Sequence, residues 1–66
     1  MLVLQMERET QRLSRAALSR KAAVQPNLIG WIETGRFKPY DSQLTKIAAA
    51  LDWQDEPDKL LEQVEA

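Results

Sequence analysis

Residues 14–35 read "SRAALSRKAAVQPNLIGWIETG". Ser14 is a residue type that caps a helix start, because its hydroxyl can accept a bond from an N–H two or three residues on. Behind it, Leu18 with the small Ala17 and Ala22 gives an inward face to a helix over residues 14–22. Pro26 suits the first turn of a following helix, where its missing N–H is harmless. Ile29, Ile32 and Glu33 then fall at i, i+3 and i+4 on one face. Gly35 supplies a left-handed stop, so this second helix is expected over 25–34. Only Ala23 and Val24 separate the two helices. So short a link forces a sharp crossing with small side chains where the backbones meet, and Ser19 and Ala23 supply them. One residue fits badly: Glu33 puts a carboxylate beside two isoleucines.

Helical patterning continues on both sides. Residues 2–11 carry Leu4, Arg8 and Gln11 along one stripe, with Leu2, Val3 and Met6 nearby. Beyond the Pro39 turn, Asp41 or Ser42 can cap a helix over 41–51, with Leu44, Ile47, Ala48 and Leu51 at i, i+3, i+4 and i+7. Pro57 opens a last short helix over 57–65 with Leu60, Leu61 and Val64. β-Branched residues are scarce and nothing alternates with period two, so strands are not expected. The expectation is a single all-α domain over residues 1–66, five short helices with brief connections.

Composition narrows the function. With no Cys and no His, neither a disulfide framework nor the usual zinc site can form, and a reducing cytoplasm suits the chain. Apolar runs are only a few residues long, and the opening MLVLQMERE lacks the form of a signal peptide, so no membrane association is expected. The net charge of −1 conceals an asymmetry. Residues 1–51 carry eight bases and four acids, whereas residues 52–66 carry six acids and only Lys59. A basic body can bind a polyanion even when the whole-chain pI is acidic. No nucleophile–base pair and no Gly-rich phosphate loop is present, so an enzyme is not expected. The acids of "DWQDEPD" lack calcium-loop spacing, and no metal or other cofactor is expected.

The stretch from Arg8 through "LSRAALSRKAAVQPNLIGWIETGRFKP" to "LTKIAAALDW", about 45 of the 66 residues, resembles the phage-repressor-like (Cro-like, XRE) helix-turn-helix family. The resemblance implies a compact, five-helix, lambda-repressor-like domain whose helix-turn-helix is formed by the second and third helices. In that family the third helix ends in apolar–Glu–x–Gly, matched here by Ile32-Glu33-Thr34-Gly35. An Arg in the first helix pairs with that Glu, and Arg8 stands at the matching position. A structural Arg8–Glu33 ion pair is therefore expected, tying the first helix to the third. Departures are Arg12, Ala23 and Asp52 at positions where the family has Gly or a Gly-like residue, and Glu7 where it prefers an apolar one.

The same resemblance implies double-stranded DNA as partner, with the third helix in the major groove and the second across the phosphates. It places Gln25, Pro26, Asn27, Gly30 and Trp31 on the groove-facing side. Asn27 either bonds an adenine edge or bonds its own backbone at the helix start. Gly30 either permits close approach or only lowers helix propensity. Trp31 either meets the duplex or folds back towards Phe37. Ser14 and Arg15 at the second helix start, and Thr34, Arg36 and Lys38 beyond the third, are the expected phosphate contacts. Trp53, Leu60, Leu61 and Val64 either form the dimer surface of a homodimer or cap the monomer core. The function implied is a sequence-specific regulator of transcription. The alternative is a protein-interaction module or antitoxin-type regulator whose acidic C-terminal helix docks a protein partner.

Overall fold

The computed structural model describes residues 1–64. It contains four α-helices, α1 (Val3–Thr10), α2 (Arg15–Ala22), α3 (Leu28–Glu33) and α4 (Asp41–Ala50), followed by a 3-10 helix over Pro57–Leu61. No strand occurs among the described residues beyond an isolated antiparallel bridge between Leu2 and Gln63. None of these helices is long and apolar enough to cross a membrane.

All four α-helices end in the same way. A residue in the left-handed region follows each, namely Arg12 (φ 59°), Ala23 (φ 57°), Gly35 (φ 79°) and Asp52 (φ 55°). The next N–H then reaches back to the last turn, as Leu13 to Arg8 O (3.0 Å), Val24 to Ser19 O (3.0 Å), Arg36 to Trp31 O (2.8 Å) and Trp53 to Ala48 O (2.9 Å). This is the Schellman closure, which satisfies carbonyls that the helix itself leaves orphaned. Leu13, Val24 and Trp53 pack against the core as the chain turns. Only one of the four corners uses Gly. Packing therefore holds Arg12, Ala23 and Asp52 where an L-residue is disfavoured by about 1–2 kcal/mol.

The elements differ from expectation in three places. α3 begins at Leu28, not at residue 25, because Gln25–Leu28 is a turn closed by Leu28 N–H on Gln25 O at 3.0 Å. Pro26 sits at the second position of that turn, where its fixed φ is well suited. At α4, Tyr40 rather than Asp41 or Ser42 is the N-cap, and the Gln43 side chain accepts the Tyr40 N–H at 2.9 Å. Asp41 is the first helical residue, where a carboxylate favours the positive end of the dipole.

The third difference is at the C-terminal end. The segment expected as an α-helix over 57–65 is the 3-10 helix, and Glu62–Val64 run alongside the first residues instead; Glu65 lies outside the described residues. The reason lies at the start of α1. Leu2 occupies its N-cap and has no side chain able to accept an N–H. Glu62 O accepts the Val3 N–H at 2.8 Å in its place, and Val64 N–H donates to Met1 O at 2.7 Å. The two ends of the described chain thus cap one another.

The core comprises Leu4, Leu18, Ile29, Ile47, Leu51 and Leu60, each wholly buried. α4 is its centre, packed on α2 and on the 3-10 helix, while α2 also packs on α3. The α1 stripe read from the sequence is present: Leu4 and Arg8 are buried, and Gln11 Nε2 donates to Leu51 O at 2.7 Å. At the α2–α3 corner the small buried residues are Ser19 and Ala22. Ala23, expected inside the crossing, is exposed, because its left-handed geometry turns it outward.

The corners give paired predictions. Ala23→Gly should raise stability by about 0.5–1 kcal/mol, the relief of left-handed strain less the extra entropy of Gly. Gly35→Ala should lower it by a similar amount, since nothing lies within 4 Å of a Cβ placed there and the cost is that of the backbone alone. Urea unfolding midpoints at constant m-value measure both.

Candidate nucleic-acid interface

Glu33 closes α3 with its side chain wholly buried and two arginines on it. Arg8, from α1, grips it with both sides of a fork, Nε to Oε2 at 2.7 Å and Nη2 to Oε1 at 3.1 Å. The remaining Nη1 of Arg8 donates to Leu13 O at 2.8 Å, so the guanidinium also braces the α1–α2 corner. Arg15, the first residue of α2, adds Nε to Oε1 at 3.0 Å. The carboxylate beside the isoleucines is thus the point where three helices meet. The Arg8–Glu33 pair is present as expected; the third member, Arg15, was expected on phosphate.

Burying these charges is expensive, so the pair need not add net stability. Its structural effect is geometric: a bidentate fork constrains both distance and plane, which an apolar contact would not. The rotation of α3 about its own axis follows from it.

With α3 so held, its outer face and the start of α2 enclose an open hollow of about 720 Å³. Arg15, Ala16, Pro26, Asn27, Gly30, Trp31, Thr34 and Arg36 line it. Four of the five residues expected to face a groove are therefore brought together here; Gln25 is exposed but outside the lining. Asn27 makes no capping bond with its side chain, which leaves the amide for other partners. Trp31 is 38% exposed and turned outward, while Phe37 packs edge-on against Tyr40 with ring centres 5.7 Å apart. Gly30 faces Arg15, whose Nη1 and Cδ lie 3.5 and 3.6 Å from the position of a Cβ at residue 30. Ala fits there in ordinary contact; a longer side chain would displace the guanidinium.

The expected phosphate contacts divide. Ser14 caps α2, its Oγ accepting the Ala17 N–H at 3.0 Å. Arg36 and Lys38 are exposed without an ion pair among the described residues, and Arg36 alone of the two lines the hollow. Thr34 directs its hydroxyl to Gly30 O at 2.9 Å, so its proton is already used within α3. Among the described residues no acid lines this hollow. Two others carry acids instead, one with Asp41, Glu56 and Asp58, another with Glu7, Asp52 and Asp55. Among the described residues no group of three or more His, Cys, Asp or Glu is arranged to hold a metal ion.

Of the four apolar residues proposed for a dimer surface, Leu60 is corrected: it is wholly buried, because the 3-10 turn points it between α1 and α4. Trp53, Leu61 and Val64 are partly exposed. Trp53 packs on the core and donates its indole N–H to Glu56 O at 2.9 Å.

Sequence reading missed one polar group of the corner. Ser19, taken only as small, is 1% exposed, with Oγ 2.9 Å from Arg15 O and 3.2 Å from Pro26 O. Its proton is shared between α2 and the turn that opens α3. A hydroxyl among the buried positions of a short helix was the available signal.

No protein family, curated protein or solved structure matches this chain.

The hub is testable by double-mutant cycle. Arg8→Ala should destabilise by about 3–5 kcal/mol, because it strands a buried carboxylate. Arg15→Ala should cost about 1 kcal/mol or less, since its side chain is half-exposed and solvent screens it. Arg8→Ala combined with Glu33→Ala should cost clearly less than the sum of the two single changes; additive values would show the residues to be uncoupled.

Proposed function

We propose that this chain is a cytoplasmic, sequence-specific double-stranded DNA-binding regulator of transcription, of the helix-turn-helix class its sequence resembles. The observation that carries the reading is the hollow between α2 and α3, without an acid among its described residues and lined by an uncommitted Asn27 amide, Arg15, Arg36 and an outward Trp31. The left-handed corners at Arg12, Ala23 and Asp52 support the register, since these are the positions where the resemblance expects Gly or a Gly-like residue.

In this reading α3 enters the major groove. Asn27 bonds adenine N6 and N7, and Trp31 gives apolar contact to a thymine methyl or sugar. Ser14 and the α2 N-terminus, with Arg36 and Lys38, take phosphates. The acid-lined hollows belong on surfaces away from the duplex. One copy covers a half-site, and a homodimer spanning half-sites about 34–36 Å apart completes the operator, with Trp53, Leu61 and Val64 as the apolar surface for pairing. The rival role, an acidic C-terminal helix docking a protein, is disfavoured by the form of that segment. It is a 3-10 turn whose Leu60 is committed to the core, so it presents no amphipathic α-helix.

Selection of bound duplexes from a random pool, with titration at several salt concentrations, tests the proposal. A paired half-site motif should emerge, with a log–log salt slope of about −3 per monomer for about three neutralised phosphates. Asn27→Ala should lose about 1–3 kcal/mol of preference for adenine at one position. No enrichment, with a shallow salt response, refutes the reading.

A further inference from the structure

We infer that Arg15 is a base-reading residue for guanine, with Glu33 as the positioning residue that fixes its guanidinium in the groove-facing hollow. This inference rests on the DNA-binding reading above and assigns a second base to the same site.

The Arg15 side chain runs from the start of α2 across α3, where it lies against Gly30. It therefore stands in the place that a side chain at position 30 would occupy. That position is on the face shared with Asn27 and Trp31, which line the hollow, as Lys38 does not. The guanidinium is also anchored at one point. Its Nε donates to Glu33 Oε1 at 3.0 Å, and that carboxylate is itself clamped by Arg8 at 2.7 and 3.1 Å. Neither Nη of Arg15 has a hydrogen-bond partner among the described residues, and the side chain is 49% exposed.

An arginine bonded to a carboxylate through Nε keeps the N–H groups of both Nη atoms. Their outer pair is a planar, parallel fork, which matches O6 and N7 on the major-groove edge of guanine. Anchoring Nε beforehand reduces the rotamer freedom lost on binding and favours a partner of defined geometry over a phosphate that any orientation can meet. Of the other lining residues, Pro26 has no donor, Gly30 has no side chain and Asn27 matches adenine, while Arg36, the second guanidinium there, has no ion-pair partner among the described residues to anchor it.

The test is selection from a random duplex pool with the unaltered chain, Arg15→Lys and Arg15→Gln, followed by titration against the selected duplex and its single-base variants. Arg15→Lys retains a cation beside Glu33 but lacks the fork, so the comparison survives if Arg15→Gln fails to fold; thermal unfolding shows which variants are intact. The unaltered chain should return one invariant guanine per half-site. Its preference there, about tenfold to a hundredfold, should fall to near equality for all four bases in both folded variants, with the other positions unchanged. An unchanged guanine preference, or no invariant guanine, overturns the inference while leaving DNA binding intact. So does uniform weakening on every sequence with the salt slope reduced by about one, the signature of a phosphate contact. If the unaltered chain enriches no duplex, the DNA-binding reading fails and this inference fails with it.

Discussion

The architecture turns on a single carboxylate. Glu33 lies at the end of a helix of only six residues, and it is held by cations from two other helices. Burial makes that arrangement unforgiving, because each charge is tolerable only while its partners are in place. The return is directional. Apolar packing of Leu28, Ile29 and Ile32 tells α3 which side to bury, but tolerates small rotations and slides. A forked arginine does not. The orientation of Asn27, Gly30 and Trp31 at the surface is thus set from beneath, by groups that never reach it.

The second constraint is length. In so short a chain each helix must stop abruptly for the next to pack, and the same closure serves at all four ends. Three of these corners carry residues that dislike the geometry, which places part of the burden of turning on tertiary contacts. Leu13, Val24 and Trp53 show how: the residue after each strained position enters the core and holds the turn closed. Local preference yields to burial at these points.

Much of this was legible in the sequence. Apolar spacing together with capping and turn residues located α1, α2 and α4 to within a few residues, and the Arg8–Glu33 pair followed from the family resemblance. What escaped was of another kind. Pro26 suits a helix start and a turn equally, and the choice was made by whether Gln25 O closed onto Leu28. Leu60 and its neighbours have helical spacing, yet the segment follows the unmet N–H of Val3, a need created some sixty residues away. Arg15 looked like a free cation, since nothing local reveals that Gly30 leaves room for it to cross α3 and reach Glu33. Periodicity reports which face is buried; it is silent on long-range polar partners.

The brevity of α3 has a further consequence. Six residues make fewer than two turns, far below the length at which a helix persists by itself in water. Its clamps come from residues 25 and 18 positions earlier in the chain, so they close only after α1 and α2 have docked. The hollow therefore depends on tertiary contacts from both α1 and α2. A chain opened at these contacts would carry every one of its side chains and still not display the hollow.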